Sequence, residues 1–521
     1  MKNITLLKAK VGILAVSCLS ITALFACVDK DARSDLNPNL PTDQAQNGDF
    51  GDQGGGSEQG LNFPVFDDGV LAFPGAEGYG KNVTGARAGE GREIYHVTNL
   101  NDAGPGSFRD AVSKPWRIIV FDVSGVIKLS SNPIVLKSNQ TILGHTAPGD
   151  GIVLYNGRVS ASGAQNLIVR YLRIRMGAAY PSELDACGIA NGANMIFDHC
   201  SMTWGKDECF SINPDGKGTA PKNITIQNSI IGQGLQNHSC GGLMQTDISN
   251  GCTIFRNLYI DNKTRNPKVK GLNQFVNNVV YNWGSGAAYN MSGDSQGKSE
   301  TTIENNYFIV GPCHNWKNVA QPDGSIKTEY VPMNPARPFT GGNGNFNTYC
   351  KGNYYDNNKD GALDGVEITE TNWSQYCSGS PVFLEARSDL HPIIRSQKSA
   401  QEAYEWVVEK VGAYLPVRDE VDKYLMDELI SLGRKGTIIQ DERKAEQFPL
   451  GGPGTINAAQ KPLDSDNDGM PDAFEDAWGL DKYDSTDAVK EAKNGYLNIE
   501  NYALSLEYPD EYEYELNKNK Q

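Results

Sequence analysis

The stretch "NLIVRYLRI", residues 166–174, decides the fold because its pattern recurs along the chain. Six such segments, whose starts are 28, 29, 29, 21 and 28 residues apart, begin at Asn166, Asn194, Asn223, Cys252, Asn273 and Thr301. Each has apolar residues in its third and ninth places, except at Thr225, and turn residues separate the segments. Strands of this length and period, with no helix between them, predict a parallel β-solenoid in which each turn stacks on the last.

The sixth place of the repeat predicts a ladder of polar side chains. It is occupied by Tyr171, His199, Asn228, Asn257, Asn278 and Asn306. Asparagine tolerates the left-handed conformation of a tight bend, and stacked amides can hydrogen-bond from one turn to the next. The ladder resembles that of right-handed parallel β-helices, and His199 is interpreted as one of its members rather than as a base. A β-sandwich or propeller would need hairpin signals between the strands, and few are present.

The amino terminus predicts an exported, lipid-anchored protein. Residues 1–27 combine three lysines, an apolar core and the ending "LFAC", which resembles a bacterial lipobox with Cys27 as the lipidated residue. An ordinary signal peptide with an incidental cysteine is the alternative. Residues 28–62 are acidic and Gly-rich, as in a flexible tether. We expect attachment to the outer membrane, facing the periplasm or the cell surface, with the lipid as the sole membrane contact because no later apolar run is long enough to span.

Composition and cysteine content bound the remaining functions. The formal charge of −16 favours solubility. We expect no nucleic-acid partner, and we expect the protein to be a monomer. After Cys27, eight cysteines remain, and their spacing matches no zinc site. The first five are expected to be buried free thiols, while a Cys313–Cys350 or Cys350–Cys377 bridge stays open. The eight are Cys187, Cys200, Cys209, Cys240, Cys252, Cys313, Cys350 and Cys377.

The solenoid is expected to span residues 63–380, followed by two appendages. Residues 399–414 and 417–433 show helical periodicity, with Ser399 as a candidate N-cap, so a helical segment over 381–450 should pack on the solenoid or cap its end. Residues 451–521 are expected to form a small calcium-loop module with an acidic tail.

The module is predicted from "DSDNDGMPDAFE", residues 464–475, which matches the calcium-loop template D-x-[DN]-x-[DN]-G-x5-E. Calcium favours several oxygen ligands, and Gly469 allows the sharp turn that brings them together. This Ca²⁺ is expected to be structural. Its predicted ligands are Asp464, Asp466, Asp468, the carbonyl of Met470, Asp472 and Glu475.

The chain as a whole resembles the pectate lyase superfamily, polysaccharide lyase family one, and we expect a bacterial lipoprotein member. The resemblance covers roughly residues 70–440 and rests on motifs in order: "FPGAEGYGKNVTGARAG", "VFDVSGVIKL", "NQTILGHTAPGDGI", "LIVRYLRIRMG", "FDHCSMTWGKDE" and "RNPKVKG". It implies a right-handed parallel β-helix and calcium-dependent β-elimination of polygalacturonate, an acidic polysaccharide.

The resemblance also implies a cleft Ca²⁺ held by acidic residues. The family's metal ligands match Asp185 and Asp207, with Glu183 as a further partner, because residues two apart on a strand share a face. A second acid is expected four residues after Asp207, where Ser211 stands. Glu208 is the alternative, with a change of geometry.

The basic half of the implied site is "RNPKVKG", residues 265–271. Arg265 matches the family's catalytic base, and Lys268 and Lys270 match cations that bind the substrate carboxylate, although arginine is commoner at the last position. His238 lies where many relatives have a substrate-binding lysine, and a purely structural histidine is as good a reading. Because Lys268, Lys270 and calcium would favour a neutral Arg265, an alkaline optimum is expected.

Two other functions remain open on the residues alone. A pectin lyase would act on methylated substrate without calcium, which the acids at Asp185 and Asp207 disfavour. A calcium-stabilised solenoid that only binds glycans is disfavoured by the basic run but supported by the missing second acid. A polygalacturonase would need paired aspartates near a Gly-His-Gly, and no such cluster is found.

Overall fold

The computed structural model describes residue 61 and residues 69–518, except 131, 285, 292–297 and 336. The predicted signal peptide, Cys27 and the tether apart from Leu61 lie outside the described residues. Within them, every helix is too short or too polar for a membrane crossing.

Three sheets of stacked, mostly parallel strands enclose one elongated core, which confirms the predicted parallel β-helix. From Arg117–Phe121 to Phe339–Gly341, each turn of the chain contributes one strand to each sheet, and chain order is kept along every sheet. The eleven-stranded sheet consists of Glu93–Val97, Arg117–Phe121, Gln140–Leu143, Gln165–Arg170, Ala193–Asp198, Lys222–Gln227, Gly251–Phe255, Leu272–Val276, Ser299–Glu304, Phe346–Lys351 and Val382–Phe383.

The other two sheets complete each turn. The ten-stranded sheet consists of Gly125–Lys128, Ile152–Tyr155, Arg173–Arg175, Ser201–Thr203, Ile230–Gly232, Leu258–Ile260, Val279–Tyr281, Tyr307–Ile309, Asn353–Asp356 and the antiparallel Val366–Ile368. The eight-stranded sheet consists of Ile134–Val135, Val159–Ser160, Cys187–Ile189, Phe210–Ile212, Leu243–Gln245, Lys268–Lys270, Tyr289–Met291 and Phe339–Gly341. A separate hairpin joins His314–Ala320 to Ile326–Pro332.

Each repeat segment proves to be two strands joined by a bend, and the predicted alignment is wrong by one residue after the third segment. The structure pairs Ile224, not Asn223, with Cys252. A slip of one residue exchanges the two faces of a strand. Here both faces are buried: Leu167 lies in the main core, while Ile168 lies in a cluster on the outside of the sheet. The apolar pattern therefore looks alike in either register.

The ladder is accordingly shorter than predicted at one end and longer at the other. The amide of Asn257 donates to Asn278, Asn278 to Asn306, and Asn306 to Asn353, which the repeat did not include, at 3.1, 3.1 and 2.8 Å. Tyr171, His199 and Asn228 lie at the bend itself, with positive φ. The Tyr171 and His199 rings stack 4.8 Å apart, and His199 Nδ1 contacts Asp198 Oδ2 at 2.8 Å.

The carboxyl-terminal module covers the outside of the eleven-stranded sheet. Its helices are Asp472–Trp478, Asn498–Glu507 and Pro509–Lys518. Phe474, Trp478 and Leu504 pack with sheet residues such as Val120 and Ile168 to form the outer cluster. The segment 71–86 contributes to the same cluster, so residues from both ends of the described chain shield one sheet face.

The two predicted central helices are Ala400–Lys410 and Glu420–Leu429, and they pack on the side of the solenoid, against the ten-stranded sheet. Ser399 accepts from the Glu402 amide and completes a capping box, as predicted. Val407 and Leu425 lie against strand residues such as Leu258. The remaining short helices are Phe108–Ala111 and Trp373–Tyr376, with 3-10 turns at Gly78–Gly80 and Gly144–Thr146.

All eight described cysteines are free thiols, so neither open bridge forms in this structure. The first five are buried, as predicted.

Two buried carboxyl groups meet where helix Glu420–Leu429 crosses the ten-stranded sheet. Asp261 and Glu428 are 0% and 3% exposed and hydrogen-bond to each other. Burial, together with the neighbouring charge of Asp261, raises the pKa of Glu428 well above 4.5, and burial raises that of Asp261 to about 6. Tyr424 and Asp427 also face Glu428.

Glu428→Gln is expected to stabilise the protein at alkaline pH. Glu428 keeps its proton when folded and loses it above pH 4.5 when unfolded, so unfolding releases a proton and the stability falls as pH rises. The slope for one such group is about 1.4 kcal/mol per pH unit between its two pKa values. Denaturant unfolding at pH 5 and pH 8 checks this: the variant should gain on the wild type only at pH 8. Glu405→Gln, the same chemical change at an exposed residue of the other central helix, should show no such gain.

Candidate active site

Backbone stacking brings the predicted site together just before the strands of the eight-stranded sheet. Asp185, the pair Asp207–Glu208, and Arg265 precede the strands that begin at Cys187, Phe210 and Lys268. The Ala186 amide donates to Glu208 O at 2.9 Å, and the Gly242 amide donates to Arg265 O at 2.7 Å. Since each turn lies on the next, residues far apart in sequence become neighbours.

Asp185, Asp207 and Glu208 form the acid cluster. Each offers a carboxylate oxygen within 4.8 Å of the others, and the Glu208 amide donates to Asp185 Oδ1 at 3.2 Å. Burial raises the pKa of Asp185; burial and the charges of Asp185 and Asp207 raise the pKa of Glu208 to about 8. Three converging carboxylates whose charges oppose one another fit a hard divalent cation such as calcium.

Glu208, not Ser211, supplies the third acid of this cluster. Ser211 is buried within its strand and accepts a hydrogen bond from the Leu243 amide at 3.1 Å. The expectation for Glu183 is not met in the structure: its side chain is exposed and, among the described residues, stands outside the cluster. Glu183 and Asp185 lie in a loop that precedes the strand, so the two-residue spacing does not place them on one face.

Arg265 lies against the acid cluster and pairs with Glu208 through Nη1. Burial would lower the pKa of Arg265, but the Cys240 thiol, once ionised, and the Glu208 carboxylate together outweigh burial and raise it. The acid is thus the closest charge to Arg265, and the downward shift expected from Lys268, Lys270 and calcium stays a prediction for the calcium-bound site. Arg265 is still partly accessible, with 28% of its side chain exposed.

Of the remaining predicted residues, His238 contacts the cluster, while Lys268 and Lys270 lie in the strand that follows Arg265. Lys268 and Lys270 are half-buried in strand Lys268–Lys270, and alternate residues of a strand share a face. His238 Nε2 lies 3.2 Å from Asp207 Oδ1, with both side chains about two-fifths exposed (41% and 39%). His238 therefore contacts a predicted metal ligand.

Arg158 belongs to this site although the sequence did not single it out. Val159 pairs with Cys187 across adjacent turns, which places Arg158 beside Asp185. Its charge acts on Asp185 and opposes the effect of burial on the pKa of that carboxyl. The closeness of Arg158 to Asp185 can be inferred only once the strand register between the two turns is known. The acid cluster thus has a guanidinium on each side.

The carboxyl-terminal loop brings most of its predicted ligands together. Oxygens of Asp464, Asp466 and Asp468 lie within 4.8 Å of one another, and so do those of Asp468 and Glu475. Burial raises the pKa of Glu475 to about 8 and that of Asp468 to about 7, and the neighbouring carboxylates act in the same direction.

Asp472 makes contacts other than its predicted metal contact, whereas the predicted role of the Met470 carbonyl stays a prediction. Both carboxylate oxygens of Asp472 accept hydrogen bonds from Ser465, each at 2.8 Å, because Asp472 opens the following helix and folds back on the loop. The side chain of Met470 is buried in the outer cluster.

Comparison with known proteins gives a consistent set of relatives. A family model described as "Pectate lyase" matches residues 74–354. A "Probable pectate lyase C" of Aspergillus fumigatus is 48% identical over 437 residues, covering 84% of this chain and 94% of that protein. A "Probable pectate lyase C" of Aspergillus flavus is 47% identical over 448 residues, covering 86% of this chain and 96% of that protein. A solved thermostable pectate lyase shares 14% identity at a TM-score of 0.44, covering 65% of this chain and 97% of its own.

Proposed function

The chain belongs to the pectate lyase family, and we propose that it cleaves de-esterified polygalacturonate by calcium-dependent β-elimination with Arg265 as the base. The observation that carries the proposal is the ion pair of Arg265 with Glu208 of the acid cluster, which reaches across the intervening turn of the solenoid.

Elimination removes the proton at C5 of a uronate and breaks the bond from C4 to the glycosidic oxygen, which leaves a carbon–carbon double bond. The C5 proton is a weak acid while the adjacent carboxylate carries its full charge. Calcium held by Asp185, Asp207 and Glu208 would neutralise part of the charge on the substrate carboxylate. It would also weaken the attraction between Glu208 and Arg265. Stabilising the enolate-like transition state in this way lowers the barrier.

The chain's own cations complete the arrangement. Arg265 is placed to take the C5 proton, and Lys268 and Lys270 present positive charge along the same sheet face for the substrate carboxylates. Lysine offers a point charge and no bidentate fork, so its grip on a carboxylate is less directional than that of arginine. His238 lies beside Asp207, where it can contact the sugar next to the cluster.

The decisive measurement follows ultraviolet absorbance of the unsaturated product when the protein meets polygalacturonate. We expect absorbance to rise with calcium and to stop rising after EDTA, with recovery on adding calcium back. Binding without product would favour a glycan-binding solenoid, and reducing sugar without absorbance would favour a hydrolase. Faster reaction on methyl-esterified pectin, insensitive to EDTA, would favour a pectin lyase.

Two finer points belong to the same proposal. One calcium ion is assigned to the acid cluster and a second to the carboxyl-terminal loop, supported by the converging carboxylates at each place. The protein is assigned to the outer membrane as an exported monomer anchored through Cys27. The support for the anchor is the sequence of residues 1–62 alone, and mass spectrometry of the mature amino terminus checks it.

A further inference from the structure

We propose that Asp487, which lies outside the twelve-residue calcium loop, is a ligand of the carboxyl-terminal metal and that this metal fastens the module onto the solenoid. The inference rests on the proposed second calcium and extends it. Asp487 lies twelve residues after Glu475, beyond any position that the loop template describes.

The geometry places Asp487 among the loop carboxylates. Its ligand oxygen lies within 4.8 Å of those of Asp468 and Glu475, and all three residues are buried. Asp487 Oδ2 accepts from the Asp481 amide at 3.1 Å, whereas Oδ1 has no hydrogen-bond partner among the described residues. The backbone thus holds one oxygen and leaves the other available to a cation.

The neighbouring acids show the same kind of unsatisfied oxygen. Glu475 is 0% exposed, and neither of its carboxylate oxygens has a hydrogen-bond partner in the described part of the chain. Asp468 Oδ2 and both carboxylate oxygens of Asp466 are likewise buried without a hydrogen-bond partner among the described residues. Burying charged carboxylates without partners is costly, and a hard cation with oxygen ligands removes that cost.

Two basic side chains lie near the loop, and neither replaces the metal. Lys490 acts on Asp487, but its Nζ is held by Asp484 Oδ2 at 3.0 Å. Lys461 Nζ lies 3.4 Å from Asp464 Oδ2 and also contacts Asp122 and Asn467, so it serves the outer end of the loop. The buried end, where Asp468, Glu475 and Asp487 meet, is the end that a cation would bridge.

Asp487 also ties the metal site to the helices that cover the sheet. Its carbonyl accepts from Asn498 Nδ2 at 2.9 Å, and the Ile499 amide donates to Ala488 O at 3.0 Å. Helix Asn498–Glu507, thereby positioned, packs on the eleven-stranded sheet and reaches it through the Arg170–Glu507 ion pair at 2.7 Å. A metal held by both Glu475 and Asp487 would join helix Asp472–Trp478 to the segment that precedes helix Asn498–Glu507.

The test is calorimetric titration of the full-length chain with calcium chloride. Every protein also carries Asp185→Asn, which is expected to remove calcium binding at the acid cluster. The heat of titration then comes from calcium binding in the carboxyl-terminal module. We expect Asp487→Asn to weaken calcium binding at least tenfold and Asp466→Asn to weaken it similarly. Asp484→Asn, the same chemical change three residues away, where the carboxylate pairs with Lys490, should bind as its parent does. Unchanged affinity in Asp487→Asn would overturn the proposal.

Thermal unfolding separates a ligand from a merely structural residue. In EDTA, Asp487→Asn should melt at or above its parent, because one unpaired buried charge is gone; in calcium it should melt below. A variant that is less stable in EDTA, or that does not fold there, contradicts the ligand assignment. If Asp466→Asn also leaves binding unchanged, the second calcium itself is wrong, while the polygalacturonate assay of the unmodified chain still decides the lyase activity.

Discussion

Replacing Arg265 with lysine is expected to lower kcat on polygalacturonate by about 10²- to 10⁴-fold, the usual contribution of a positioned acid or base. Lysine keeps the positive charge but not the reach and fork of the guanidinium that contacts Glu208. The loss should therefore fall on kcat more than on KM, because the binding cations Lys268 and Lys270 are intact. Steady-state kinetics from pH 7 to pH 10 measure both.

The control for this variant is Arg434→Lys, a change at an exposed arginine whose contact is the Asp360 carbonyl. It should leave both constants unchanged. The assignment of Arg265 fails if Arg265→Lys keeps near-normal kcat. It also fails if the wild-type rate is flat from pH 7 to pH 10, since a base with a raised pKa must gain activity as pH rises.

Arg175→Met is expected to lower the free energy of unfolding by about 3–5 kcal/mol, the typical cost of removing one partner from a buried ion pair. Arg175 is fully buried and donates to Asp419 at 2.8 Å and to Asp422 at 2.9 Å. Both acids belong to the start of helix Glu420–Leu429, and Asp419 also caps that helix. The substitution would leave two buried carboxylates facing Met and would loosen the helix from the ten-stranded sheet.

Denaturant unfolding of the variant measures this loss. The matched control is Lys435→Met, which breaks an exposed pair with Asp427 at 2.7 Å and should change stability by less than about 1 kcal/mol. A loss of similar size in both variants would mean that burial does not set the strength of the Arg175 network.

The amino-acid pattern determined the kind of fold because a solenoid repeats itself. Every turn must present apolar residues to the core and a polar bend at the corner, so the period of the structure is visible as a repeat in the amino-acid sequence. The calcium loop and the basic run at Arg265 could be located for a similar reason, since their residues are close in sequence. The same local logic failed for Glu183, because the two-residue spacing implies one face only on a strand and Glu183 lies in a loop.

What only the tertiary structure decided is the register between turns and the contacts between distant segments. The alignment slipped at Asn223 because outward-facing residues such as Ile168 and Ile196 are as apolar as the core residues, so the change of strand face shows in the periodicity only at Thr225. Arg158 beside Asp185, Glu208 against Arg265 and Asp487 beside Glu475 are all meetings across turns or between loops. Local sequence carries no signal for such pairs, because the attraction exists only after the chain has stacked.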